Sequence, residues 1–156
     1  MNVNLYASAG SKAISSTDLT GFNYWGFNTV DAPGLAPGDP LTTLYMCQGD
    51  TLAITLFNKL PPAPAPADQH LAIELPAVNG HPDTVGVPND GLAHALPAIK
   101  DLAPGTYLYE AGPTPGGDRQ VAMGLAGLLI GRPPGFGGSV NGSSAYGTIL
   151  SQVPAE

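Results

Sequence analysis

The chain has 156 residues, a net charge of −7 and only five cations, Lys12, Lys59, Lys100, Arg119 and Arg132. That length fits one domain with a real core. The scattered cations exclude a surface built to displace counterions from nucleic acid or to dock on an anionic membrane.

Two further bounds come from residue usage. No apolar run reaches the roughly 18 residues that suggest a spanning helix. A single cysteine, Cys47, forbids an intrachain disulfide and leaves the redox compartment open. The acidic balance serves solubility. The N-terminus lacks the basic-then-apolar plan of a signal peptide. The 21 glycines and 17 prolines punctuate apolar runs, the pattern of many short strands joined by turns.

In chain order, Val3 to Ser8 alternates as a first strand, and Gly10 to Thr20 is polar and loop-like. Gly21 to Asn28 is aromatic and β-prone. Asp31 to Pro40 is a connection rich in proline and glycine. Leu41 to Cys47 reads as a strand and Gln48-Gly49-Asp50 as a turn. Thr51 to Asn58 reads as a second strand with Leu52, Ile54 and Leu56 on one face. Pro61 to Pro66 contains only proline and alanine and should form an extended loop.

His70 to Pro76 is the next strand, and Asn79 to Gly91 is a polar loop. Leu92 to Lys100 is interrupted by Pro97, which places that strand at an edge. Gly105 to Ala111 is a strand with Tyr107 and Tyr109 on one face and Leu108 on the other. After a Pro/Gly-rich loop, Gln120 to Ile130 is expected as its partner strand, broken by Gly124 and Gly127. Gly131 to Ser144 is rich in glycine, proline and serine, and Ala145 to Ser151 adds a last strand. No helical period appears. Short strands separated by turn residues argue an all-β sandwich.

Several blocks together resemble a cupredoxin domain of the multicopper oxidase family. They are Trp25-Gly26 with the aromatics around it, and Gln48-Gly-Asp-Thr-Leu-Ala-Ile-Thr-Leu-Phe-Asn-Lys-Leu-Pro61. Gly105-Thr-Tyr-Leu-Tyr109 and Gly124-Leu-Ala-Gly127 complete the set. The likeness runs over about residues 3 to 132 and implies a Greek-key β-sandwich. The expected organisation is therefore a cupredoxin-like domain over 1–132 and a Gly/Pro/Ser-rich C-terminal tail over 133–156.

The resemblance also marks where copper ligands would stand, and other residues occupy those places. Glu110 follows Tyr109, where the family has a histidine. Ala111 takes the position of the cysteine, Gln120 lies near the second blue-copper histidine, and Met123 is near the axial methionine. Glu74 lies in Ile73-Glu74-Leu75-Pro76, the place of the family's His-x-His or of an apolar pair. A blue-copper site wants two imidazoles, a thiolate and a weak axial sulfur. Without the thiolate and the imidazole, no copper or other cofactor is expected, and no catalytic residue is assigned. Cys47 reads as an inert strand-end thiol. His70, His81 and His94 show no ligand spacing and read as satisfied or solvated. Glu74 and Glu110 would form a carboxylate pair if their strands are neighbours, and otherwise read as separate rim residues.

The expected function is that of a metal-free, non-catalytic cupredoxin domain acting as a structural or partner-packing subunit. Its expected partner is another cupredoxin domain or itself, with the contact around Glu110, Gln120 and Met123. Two alternatives stand beside it. One is a single domain of a laccase-like oxidoreductase whose copper ligands lie on another chain or segment. The other is a self-assembling subunit of an extracellular assembly. The family implies an extracellular or periplasmic location.

Overall fold

The structure is a computed structural model that describes residues 1–12, 22–31, 42–62, 70–76, 78 and 85–134. Its strands are β1 (Asn2–Lys12), β2 (Phe22–Asn28), β3 (Thr42–Cys47), β4 (Thr51–Lys59), β5 (Ile73–Glu74), β6 (His94–Ala95), β7 (Ile99–Lys100), β8 (Gly105–Ala111) and β9 (Ala126–Arg132). One short helix, α1 (Gly117–Ala122), precedes β9. The strands build two mixed sheets, and the fold is a cupredoxin-like all-β sandwich.

The first sheet runs β2-β1-β4-β6, with β7 also on β4; the second runs β3-β9-β8-β5. Each sheet holds one parallel pair, β1 with β4 and β3 with β9. Side-chain alternation decides which face of each strand is buried. In β4, Leu52, Ile54 and Leu56 point inward and are at most 4% exposed. They meet Leu44, Tyr109 and Leu129 of the second sheet, together with Leu5 and Phe27, in one apolar cluster.

Asn58 continues the inward row of β4 and is fully buried. A buried amide must be satisfied, and Asn58 meets that demand by joining two loops. Its Nδ2 donates to the Val87 carbonyl at 3.0 Å, and its Oδ1 accepts from the Leu60 amide at 3.3 Å. The Asn-x-Leu-Pro end of the β4 block is therefore a staple between the strand end and the 85–91 loop.

Four expectations change in detail. β1 extends past Ser8 to Lys12, because an antiparallel ladder with β2 pairs Lys12 with Phe22. Polar residues join that strand since the partner strand, and not burial, satisfies their backbone. The segment from His70 splits its pairing: Leu71 bridges Val87, the Ala72 carbonyl accepts from Gly112, and only Ile73–Glu74 ladder with β8. The Leu92–Lys100 run is two short strands on the same edge of β4, parted at Leu96–Ala98 around Pro97.

The fourth change is the largest. Gln120–Ala122 belongs to α1, not to a strand. The turn at Thr114, whose carbonyl accepts from the Gly117 amide at 2.8 Å, starts the helix, and Gly124 at φ 112° ends it. Six residues are too few for a 3.6-residue period to show in sequence. The Pro61–Pro66 loop, His81 and the Ala145–Ser151 strand fall wholly or partly outside the described residues. Among the described residues, no helix is long and apolar enough to cross a membrane.

Candidate functional site

The residues that the family resemblance sets at copper-ligand positions lie around the meeting of β5, β8, α1 and the start of β9. The strand register sorts them by face. Tyr109 and Ala111 point into the core, 1% and 3% exposed. Glu110, between them, is turned to the outer face of the second sheet. Directly across the ladder Glu74 stands opposite Glu110, and Ala126 flanks Glu110 on the other side. The two carboxylates are thus cross-strand neighbours, each half-buried. Like charges placed so are mutually destabilising.

On the core side, the Ala111 amide donates to the Leu125 carbonyl at 3.0 Å, which locks the start of β9 against β8. Gln120 is 1% exposed. Its Nε2 donates to the His70 carbonyl at 2.8 Å, and Thr114 Oγ1 donates to the same oxygen at 3.1 Å. Gln120 Oε1 is buried without a hydrogen-bond partner. The His70 ring sits apart from this knot, with Nδ1 3.0 Å from the Val85 carbonyl.

Met123 caps α1, and its carbonyl accepts from the Trp25 amide at 2.8 Å. This bond ties β2 of the first sheet to the end of α1. Its side chain, with Trp25, Asn23, Ser11 and Arg119, lines an open groove of about 460 Å³. The Arg119 guanidinium lies 5.3 Å from the centre of the Trp25 ring, a cation–π contact. Gly124 explains itself here. A side chain at that position would meet the Trp25 carbonyl at 2.8 Å, besides being strained at φ 112°.

The five positions therefore do not form one cluster. Glu74 and Glu110 lie on the outer face, Ala111 and Gln120 are interior, and Met123 is at the groove. Gln120 offers no surface, being enclosed by its own chain. The donor set does not fit a blue-copper ion. Ala111 presents a methyl group where a thiolate is needed, and Gln120 offers only a hard amide oxygen, Oε1, where an imidazole is needed. Cys47 pairs in register with Arg132 at the far end of the sheet from Glu110. His94 Nε2 lies 3.0 Å from Asp90. Asp90 is held below the usual carboxylate range by the Leu92 amide first and His94 second. Among the described residues, no group of three or more His, Cys, Asp or Glu side chains is placed to hold a metal.

Two features of this region escaped the sequence. One is the double donation to the His70 carbonyl from Gln120 and Thr114. The other is the Arg119–Trp25 contact. Nothing local signals either, because each joins residues more than forty apart in sequence.

No protein-family model matches the chain, and no curated protein sequence matches it either. Solved structures do resemble it. A multicopper oxidase from Pseudomonas thermotolerans superposes with a TM-score of 0.62 at 19% identity, over 85% of this chain and 29% of that one. A multicopper oxidase from Campylobacter jejuni, described as a metallo-oxidase, gives 0.59 at 23% identity, over 85% and 26%. A copper nitrite reductase from Nitrosomonas europaea gives 0.62 at 16% identity, over 88% and 43%. The chain thus spans less than half the length of each. At these identities the likeness is one of fold, and what it establishes is that the chain carries the cupredoxin-like sandwich seen in multicopper oxidases and copper nitrite reductases.

Proposed function

We propose that this chain is a metal-free, non-catalytic cupredoxin-like domain that works as a structural, partner-packing subunit. The observation that carries this reading is the interior around Ala111. Its methyl group is packed in the core at 3% exposure, and the neighbouring Gln120, whose Nε2 donates to the His70 carbonyl, carries an amide where an imidazole would be needed. Those interactions stabilise the corner between β8, α1 and β9, which offers neither a thiolate nor an imidazole to copper. A thiolate and an imidazole are what would select that metal.

The test is copper loading. Incubated with Cu(II) under oxidising conditions, the purified chain is expected to show no intense visible thiolate-to-copper band. A stoichiometric blue species that disappears in Cys47→Ser would overturn the proposal.

A second reading makes the chain one domain of a laccase-like oxidoreductase whose copper ligands lie on another chain or segment. Its support is the coverage of the solved relatives, of which this chain matches between 26% and 43%. Co-purification with a chain carrying His-x-His and His-Cys-His motifs would favour it over a homo-oligomer.

A further inference from the structure

The outer face of the second sheet carries the remaining chemistry. Outward positions alternate with the buried ones along β3, β8 and β9. They place Tyr45 beside Ile130 and Leu108 beside Leu128 in register. Tyr45 and Leu108 are 42% and 41% exposed, and Leu128 and Ile130 are half-buried. The result is an apolar stripe across three strands. One end of the stripe is acidic, where Glu110 stands opposite Glu74. The other end is basic, where the Arg132 guanidinium lies 4.3 Å from the centre of the Tyr45 ring.

We propose that this face is the contact between two copies of the chain, related by a two-fold axis that sets Glu110 of each against the partner's Arg132. The idea rests on the partner-packing reading above and names the partner. Glu110 is in register with Ala126, and Ala126 and Arg132 lie equally far along β9 from Leu129. An in-plane axis across the strands at Leu129 therefore exchanges the acidic and basic ends. It also lays Leu128 of one copy over the partner's Ile130. An isologous contact requires this self-complementarity. Sheets stacked face to face lie ≈ 10 Å apart, close enough for Arg and Glu side chains to meet.

The acidic end has its own reason to accept a cation. Two carboxylates directly opposed on neighbouring strands repel each other, and among the described residues no ion pair reaches either. The partner's Arg132 would relieve that repulsion from outside the sheet. Size sets the strength. β8 and β9 have seven residues, β3 six and β5 two, which at about 4.8 Å between strands and about 3.3 Å per residue gives a footprint of roughly 350 Å² per copy. Two such faces bury about 700 Å², below the roughly 1,000 Å² of stable specific contacts and in the range of weak ones. The dimer should therefore be reversible and concentration-dependent.

Sedimentation of the full chain across a micromolar to submillimolar series tests this. The wild-type chain is expected to dimerise, and Leu108→Asp to remain monomeric. Glu110→Arg and Arg132→Glu should each weaken the dimer by about tenfold or more, since each places like charges at two symmetric points. An equimolar mixture of those two variants should regain wild-type association, because opposite charges then meet at both points. Circular dichroism and thermal melts of each variant confirm the fold, and the mixture needs no folding control beyond that of its components. A wild-type monomer throughout the series would overturn the proposal. So would a dimer indifferent to Leu108→Asp, or a mixture that fails to recover. None of these outcomes bears on copper loading, so this proposal can fail while the metal-free reading stands.

Discussion

Tyr109 shows how one residue couples distant parts of this fold. Its ring packs at 5.5 Å from the ring of Phe27, and its hydroxyl donates to the Thr42 carbonyl at 2.8 Å. Desolvation raises the phenol well above its ordinary pKa of 10.0. The sign follows from the proton count. The unfolded chain loses this proton near its ordinary value while the folded chain retains it. The associated stability is therefore fully present below that value and declines as pH rises past it. Urea unfolding at about pH 9 and about pH 11 should show a steeper loss for the wild type than for Tyr109→Phe. At neutral pH Tyr109→Phe should cost about 0.5–1.5 kcal/mol for the lost hydrogen bond. Equal pH slopes would mean the phenol is not desolvated. The residue opposite, Gly127, makes room for this ring: a Cβ there would overlap Tyr109 and approach the Thr42 carbonyl to 2.6 Å. Gly127→Ala should cost about 1–3 kcal/mol through overpacking, read as a lower urea midpoint at unchanged slope.

At the scale of the element, β4 carries the sharpest expectation. It is paired on both edges, with β1 on one side and β6 and β7 on the other. Its alternation assigns Ile54 to the core and Thr55 to the opposite face. Ile54→Ala should cost about 2–5 kcal/mol, the range for a buried cavity. Thr55→Ala should stay within about 0.5–1 kcal/mol. Chemical denaturation of the two variants tests the register itself, because a slip of one residue would reverse the order of the costs. The helix α1 obeys a different logic. Its six residues have no side-chain N-cap hydrogen bond, and an isolated helix of that length is unstable in water. What holds it is tertiary: Gln120 anchored to the His70 carbonyl, and the Ala111–Leu125 backbone bond beside it. Sequence assigned this stretch to a strand because Val121, Leu125 and the apolar run after it suit β structure, whereas the anchoring partner lies fifty residues away.

At the scale of the whole molecule, the two sheets use their outer faces differently. On the first, Tyr6 stacks on Phe57 at 4.5 Å, and Lys59 lies over Tyr6 while pairing with Asp31. That surface is already occupied by its own contacts. The second sheet presents the Tyr45, Leu108, Leu128 and Ile130 stripe with charges of opposite sign at its ends. The dimer prediction belongs to that asymmetry, and the copper-loading prediction belongs to the interior behind it.

Sequence alone determined the sandwich class, the strands β2, β3, β4 and β8 to within a residue or two, and the inward row Leu52, Ile54, Leu56. A period of two is a local property, and burial of one face follows from it directly. That Ala111 cannot supply sulfur was equally legible, since no conformation turns a methyl group into a thiolate. Only the tertiary structure decided where the site residues face. Glu110 and Ala111 are adjacent in sequence yet lie on opposite sides of a sheet, one toward solvent and one in the core. Glu74 and Glu110 became neighbours through the β5–β8 ladder, a pairing between strands 36 positions apart. Gln120 became interior because a short helix, and not a strand, carries it. These are long-range outcomes of strand pairing and packing, and no local pattern in the chain encodes them.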